Sequence, residues 1–395
     1  MKYFVIIKNK EIMNLKYSVG FDIASKKIDV CMSVIDDTQR VCVVSSKSFL
    51  NTLKGFKEME DWIVKNHKEK DIQLVLCMEA TGVYHENCAL YFSVKNYKIS
   101  IILPNKAKHY LISLGLKSKN DSIDAKGLSK MGAEQCLELW QPMGDFFYEL
   151  RQYTRQNQNL QEQKTVFNNQ LHALEQSMHK SKAMIKQQKD TIKLFNKQIK
   201  EIEKLIKDLI NSDQVVKQKV AHICKIKGIG LLTVATILAE TNGFELFKNY
   251  KQLVSYAGFD VVESESGTRT GKTKISKKGN GHIRRALFMP AFVAVSHKEK
   301  PALDLYNRTF EKHGIKMKSY VAVQKKLLVL IYHIWKKNEA YDSNYALANK
   351  INQEKTKNDL MENLTGKSNK KSSPNQVEAT PDKQIIFNDE MLSII

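Results

Sequence analysis

Nowhere in the chain does an apolar run approach the ~18 residues needed to cross a bilayer, so no segment reads as membrane-spanning. Cysteine is sparse and scattered: Cys31, Cys42, Cys77, Cys88, Cys136 and Cys224 form neither a CxxC pair nor a cluster with histidine. That argues against a zinc site or a disulfide frame, and for reduced, mostly buried thiols in a cytoplasmic protein. The opening Met1–Ile12 is too short and too charged for a signal peptide, and Met13, just before the first strand-like run, reads as an alternative start. Acidic residues are outnumbered, 42 against 63 lysines and arginines, which leaves a net charge of +21. A balance that basic points to a polyanionic partner, nucleic acid before an anionic membrane surface. What the chain does have is 395 residues, 42% of them hydrophobic, enough for true cores and about two domains of ~150 residues.

Four zones differ in pattern. From Lys16 to about Met143, apolar strand-like runs alternate with amphipathic segments. Tyr17–Ile23, Ile28–Val34 and Arg40–Ser45 read as strands, then Phe49–Asn66 as a helix, Leu74–Met78 as a strand, Tyr84–Lys95 as a helix and Ile99–Leu103 as a strand ended by Pro104. Continuous apolar strands between helices predict a sheet covered on both faces, an α/β domain. Between Gly144 and Gly228 there is no glycine or proline, and Ile185, Ile192, Ile199 and Ile206 fall seven apart. Phe195, Ile202 and Leu209 interleave with them, and Phe167, Leu171, Leu174 and Met178 continue the rhythm upstream. This heptad seam predicts a coiled coil, as one long helix or as a hairpin turning near Ser181 or Asp190. A spacer packed on its own chain and a dimer-forming arm fit it equally. From about His222 to Asn338 the pattern is compact and helical, with helices expected at Leu231–Glu240, Arg284–His297, Pro301–Lys312 and Met317–Lys337. From about Ile351 the chain is rich in Lys, Asn and Ser and reads as a mostly disordered tail.

Four carboxylates stand out in the first zone. Asp22 interrupts the apolar strand Val19-Gly-Phe-Asp22-Ile-Ala, where a charge is costly unless it is paired or metal-bound. Glu79 ends a second apolar strand, and Asp121 and Asp124 lie three apart at the start of a helix, on one face. An oxygen-rich pocket of that kind suits hard cations such as Mg²⁺, one or a pair ~4 Å apart, for phosphoryl transfer. Taken singly, Asp121 reads as an N-cap and Asp124 as a first-turn acid favoured by the helix dipole. Asp29 and Glu86 read as surface acids, and a sugar-kinase-like phosphate loop at Gly20-Phe-Asp22 is disfavoured because Ala24 and Ser25 follow.

A second cluster lies in the third zone. Ile226-Lys-Gly228-Ile-Gly230 ahead of a helix resembles a helix-hairpin-helix element, whose glycines free backbone N–H groups for a phosphate, although most such matches are ordinary caps. Glu263-Ser264-Glu265-Ser266-Gly267-Thr268 follows, and from Gly267 to Lys298 there is no acidic residue. That span holds Arg269, Lys272, Lys274, Lys277, Lys278, His282, Arg284 and Arg285, a flexible positive loop that predicts phosphate binding. Ser266, before a glycine that lets a phosphate approach, is the candidate nucleophile; its plain alternative is a turn hydroxyl, and Ser264 and Ser276 lie in the same loop.

Together these residues resemble the DEDD transposases, which include the Piv-type DNA invertases and the bridge-RNA-guided insertion-sequence recombinases. The resemblance rests on Val19-Gly-Phe-Asp22-Ile-Ala-Ser-Lys, Met78-Glu79-Ala-Thr-Gly-Val-Tyr and Asn120-Asp121-Ser-Ile-Asp124-Ala, then on Ile226-Lys-Gly-Ile-Gly, Ala257-Gly, Ser266-Gly-Thr and Ile275-Ser-Lys-Lys-Gly-Asn-Gly-His-Ile-Arg-Arg-Ala-Leu. It covers about Tyr17 to Asn338, and leaves out the first twelve residues and the tail. It implies an α/β RuvC-like (RNase H-type) domain over 16–143, a coiled coil over 144–220 and a mostly α-helical C-terminal transposase domain over 221–340, between an extension (1–15) and a tail (341–395). It also implies that Asp22, Glu79, Asp121 and Asp124 bind one or two Mg²⁺ ions, and that Ser266 forms a covalent phosphoserine link to DNA. The implied partners are donor and target DNA, a noncoding bridge RNA, and further copies of the chain in a dimer or tetramer built through the coiled coil. The implied setting is bacterial, cytoplasmic and nucleoid-associated. Two other readings stand beside it: a RuvC-type structure-specific nuclease that leaves no covalent intermediate, and a non-catalytic nucleic-acid-binding protein whose acids merely cap helices.

Overall fold

A computed structural model describes residues 13–80, 82–115, 120–263, 265–271 and 273–342. The N-terminal twelve residues, Ser264, Lys272 and nearly all of the expected tail lie outside these. Contacts divide the chain into two compact units between Pro142 and Met143.

The first unit opens with three strands in antiparallel succession, β1 (Asn14–Ile23), β2 (Lys27–Asp36) and β3 (Val41–Leu50). Helix α1 (Leu53–Asn66), capped by the Thr52 hydroxyl, leads to β4 (Leu74–Glu79). Then come α2 (Glu86–Val94), β5 (Lys98–Ile102), α3 (Pro104–Ser113) and α4 (Asp121–Glu134). The sheet order is β3-β2-β1-β4-β5, with β4 parallel to both β1 and β5. The sheet is thus mixed, an antiparallel half (β3-β2-β1) followed by a parallel half (β1-β4-β5).

Period-two alternation sorts the side chains between the two faces. Tyr17, Val19, Phe21, Ile28, Val30 and Met32 pack with Phe56, Met59 and Ile63 of α1 and with Ala89 and Phe92 of α2. On the other face Cys77 and Ile102 meet Ala107, Leu128 and Met131 of α3 and α4. Both faces are covered, as the apolar strands predict. Helix α4 sits unusually close, because the residues beneath it are small. A methyl on Gly20 would lie 2.1 Å from the Ser129 nitrogen, and one on Gly132 would lie 2.1 Å from the Ser18 hydroxyl. Ser33 and Ser129 share a 2.7 Å hydrogen bond across the same contact.

The second unit begins with two long helices, α5 (Asp145–Gln176) and α6 (Lys182–Ser212). They run side by side in opposite directions: Phe167 meets Phe195, and Glu175 pairs with Lys189 at 2.9 Å. The heptad pattern therefore folds back on its own chain, and the turn falls at 177–181, with Ser181 capping α6. Met178 does not continue the seam; it sits in that turn, 90% exposed. Five more helices, α7 (Gln214–Ile223), α8 (Leu231–Thr241), α9 (Tyr250–Ala257), α10 (Gly281–Ala286) and α11 (Phe288–Ser296), gather around one core with α12 (Lys300–His313) and α13 (Lys316–Lys337).

Some boundaries differ from the sequence reading for local reasons. Pro104 does not only end β5; its fixed φ and missing N–H suit the first turn of α3, a helix the pattern did not reveal. The helix expected over Arg284–His297 is broken at Leu287, just before Pro290. Between α9 and α10 the expected loop is a β-hairpin in two tiers, β6 (Val261–Val262) with β9 (Lys274–Ile275) and β7 (Glu265–Ser266) with β8 (Arg269–Thr270). The cysteines are free, but only Cys31, Cys77 and Cys88 are buried, while Cys42 and Cys136 are exposed. Among the described residues no helix is long and apolar enough to cross a membrane.

Candidate active site

The four acids singled out in the sequence come together at one end of the first unit's sheet. Asp22 stands on the face shared by Ser18 and Gly20, the face that α4 covers. The parallel β1–β4 register runs from Tyr17 opposite Leu74 to Phe21 opposite Met78, so the next positions in line are Asp22 and Glu79. Neighbouring strands lie ~4.8 Å apart, which places these two carboxylates side by side at the C-terminal ends of parallel strands. Helix α4 contributes the other pair. Because Gly20 rests against Ala125, Leu128 and Ser129, and Gly132 against Ser18, the N-terminus of α4 lies at the Asp22 end of β1. Asp121 and Asp124 occupy that first turn. The cap itself is Asn120, whose side chain accepts from the Ile123 N–H at 2.9 Å, so the N-cap role read for Asp121 falls to its neighbour.

The electrostatics bear the mark of this crowding. The Asp22 carboxyl is pushed up to about 6, first by burial and then by the charges of Asp121, Asp124, Glu79 and Asp29. Asp29 is a finding of the fold. It is the cross-strand partner of Asp22, buried to 6% exposure, and is held by Lys27 at 2.8 Å and by a hydrogen bond from the Ser48 hydroxyl. The surface position expected for it is wrong, because α4 covers the face on which it stands. Lys27, exposed on that strand end, has its pKa raised by its bond to Asp29 and by the charges of Asp29, Asp121 and Asp22.

The donor set is chemically suited to a hard divalent cation: carboxylate oxygens only, crowded enough that burial and the neighbouring acids raise the Asp22 pKa to about 6. Among the described residues no three acidic, histidine or cysteine side chains already stand close enough to grip an ion, so side-chain rotation would have to complete the grip. The chemistry of the donor atoms is what fits these residues to a divalent metal.

In the second unit Ser266 occupies the outer tier of the β-hairpin, where it pairs with Arg269 across a turn at Gly267 and Thr268. Among the described residues none covers Ser266, which is exposed. The hairpin base is stitched by backbone bonds: Ser276 N–H to the Asp260 carbonyl (2.8 Å), Lys277 N–H to the Gly258 carbonyl (3.1 Å) and Asn280 N–H to the Tyr256 carbonyl (2.7 Å). Lys274, Lys277 and Lys278 project into solvent on this arm. Three other expected phosphate ligands are engaged with the protein. Arg284 donates to the Ala257 carbonyl at 2.7 Å, Arg285 pairs with Glu162, and His282 Nδ1 donates to Gln158 Oε1 at 2.6 Å. The two glycines ahead of α8 also part company. Gly228, at φ +90°, lies against the Pro290 carbonyl and Ala294 and serves close packing, whereas Gly230 is the N-cap of α8 with open space beside it.

A DEDD-type IS110 transposase model matches residues 19–180, and a model described as the transposase IS116/IS110/IS902 family matches residues 220–307. The pilin gene-inverting protein of Moraxella bovis is 30% identical over 329 residues, covering 83% of this chain and 98% of that one. Its counterpart in Moraxella lacunata gives the same figures. Among solved structures, Thermus thermophilus RuvC bound to a Holliday-junction substrate covers 31% of this chain and 99% of its own, at 8% identity and a TM-score of 0.25.

Proposed function

Because the chain belongs to the IS110-type family of DEDD transposases, we propose that it cuts and rejoins DNA through a serine-linked intermediate supported by divalent metal. The observation that carries this reading is the convergence of Asp22, Glu79, Asp121 and Asp124, felt at Asp22 as a carboxyl raised to about 6. Those four would hold one or two Mg²⁺ ions, which when bound would draw charge from the reacting phosphate and the leaving oxygen.

The remaining roles belong to the protein's own groups. The Ser266 oxygen forms a bond to phosphorus as its proton passes to water, and the bond from phosphorus to the deoxyribose oxygen breaks, that oxygen taking up a proton from water to leave as a free hydroxyl. The phosphodiester energy stays in the serine ester, so a hydroxyl from another DNA end can reverse the attack without ATP. Lys274, Lys277 and Lys278 guide the backbone to the serine.

The charge of +21 suits donor and target DNA, and a bridge RNA that would leave sequence reading to base pairing. Leu194 and Leu205 stay 52% and 42% exposed on α6 although its other face packs on α5. They share a helix face, and this suits assembly of copies through the hairpin.

The test is to trap the intermediate. Protein is incubated with a DNA element junction nicked beside the cleavage site and Mg²⁺, then denatured, and the adduct is digested and mapped by mass. A nucleotide on the Ser266 peptide supports the proposal, and one on Ser264 or Ser276 moves the nucleophile. Cleavage without an adduct favours the nuclease reading, and binding without cleavage the non-catalytic one.

A further inference from the structure

The second unit buries a carboxylate that the reaction above does not use. Glu240, near the end of α8, is 3% exposed. Isolated there it would be costly, yet it is fully engaged. Arg155 of α5 grips it with two bonds, Nε to Oε1 at 2.7 Å and a terminal guanidinium nitrogen to Oε2 at 2.9 Å. The Asn280 side-chain amide donates to Oε2 at 2.7 Å, and the Tyr256 hydroxyl donates to the Glu240 carbonyl at 3.1 Å. Burial by itself would raise the Glu240 pKa, but the bonds from Arg155 and Asn280, with the charges of Arg155 and His282, hold it below the usual carboxylate range.

Asn280 is the joint of this network. Its Oδ1 caps α10 by accepting from the His282 and Ile283 N–H groups, at 2.9 and 3.2 Å, and its own N–H closes the hairpin base on the Tyr256 carbonyl. One residue thus ends the serine arm, starts the next helix and reaches the buried carboxylate. Further rungs run along the same face of α5. Gln158 takes the bond from His282 and donates to Glu162 at 3.2 Å, and Glu162 pairs with Arg285. Positions 155, 158 and 162 of α5 therefore hold residues 240, 282 and 285 in one connected chain.

We infer that Glu240, clasped by Arg155 and Asn280, is a positioning residue: it fixes the base of the β-hairpin that carries Ser266 to the long helix α5. This inference rests on the serine reading for its catalytic consequence, but not for its mechanical one.

Two readouts separate the two. Asn280→Ser keeps a helix-capping hydroxyl and removes the donor to Glu240. Trypsin is expected to cut this variant after Lys277 and Lys278 faster than the wild type. The serine adduct is expected to form about tenfold more slowly at unchanged DNA affinity, equivalent to about 1.4 kcal/mol in the barrier. Asn280→Asp sets two carboxylates face to face and is expected to loosen the arm further. The double variant Asn280→Asp with Glu240→Gln exchanges donor and acceptor between 240 and 280 but turns the new amide N–H toward the Arg155 guanidinium, which shares Oε2, so it is expected to restore both rates in part. The inference is overturned if Asn280→Ser matches the wild type toward trypsin, or if the double variant is no better than Asn280→Asp. Should the wild type give no adduct at all, the serine reading fails, and the order of trypsin rates decides the latch alone.

Discussion

Replacing Asp22 with asparagine should make the metal-free protein more stable, although it removes a residue assigned to the active site. In the folded chain the Asp22 carboxyl titrates near 6 rather than at its ordinary 3.8, because burial and the neighbouring acids oppose its charge. A carboxyl raised in the folded chain costs stability once the unfolded chain has lost its proton. The penalty is absent below about pH 4, grows as the pH rises through about 6, and is constant above that. A shift of about two units corresponds to at most ~3 kcal/mol. Asp22 is only partly buried, so solvent screening brings the expected figure to about 1–2 kcal/mol. Chelator-treated Asp22→Asn should therefore melt roughly 3–6 °C above the wild type at pH 7.5 and within error of it near pH 4. Added Mg²⁺ should reverse the order, by stabilising only the wild type. A wild type that is the more stable at pH 7.5 without metal would refute the crowded-carboxylate reasoning, as would a difference that persists near pH 4.

Other expectations follow from particular contacts. Ser266→Ala should abolish the covalent adduct while leaving the affinity for DNA within about twofold, since the side chain lies on an exposed arm; gel-shift and denaturing-gel assays on one substrate read both. Gly20→Ala should cost roughly 1–3 kcal/mol in urea unfolding and weaken metal binding, because the new methyl meets α4 backbone at 2.1 Å and pushes Asp121 and Asp124 away from Asp22. Alanine at Lys274, Lys277 and Lys278 together should flatten the salt dependence of DNA binding by up to about 3 in the log–log slope, near 0.9 for each lost phosphate contact. Arg284→Ala should act differently. It should lower stability more than the salt slope, because its guanidinium is occupied by the Ala257 carbonyl.

Much of the site was legible because a charge in an apolar strand is an anomaly that needs no structure to see. Asp22 and Glu79 stood out in that way, and Asp121 with Asp124 through their spacing. Asp29 did not, since Ile28-Asp29-Val30 reads like any strand with one wet face. Its burial arises only when α4 settles on the sheet, and that depends on Gly20, Ser33 and Gly132 being small at once. The hairpin of α5 and α6 was half legible: a heptad stripe fixes which residues face inward but carries no direction, so it ran through Met178 into the turn. The basic run near the serine shows the opposite failure. A count of charges treats His282, Arg284 and Arg285 like Lys277 and Lys278, because the partners of the first and third, Gln158 and Glu162, lie over a hundred residues upstream.

Calorimetric titration of Mn²⁺ into the metal-free wild type and into Asp22→Asn, Glu79→Gln, Asp121→Asn and Asp124→Asn tests most directly whether the four acids form one pocket. Each single substitution is expected to weaken the same binding event by at least about tenfold, roughly 1.4 kcal/mol. Four variants that bind Mn²⁺ as the wild type does would contradict it.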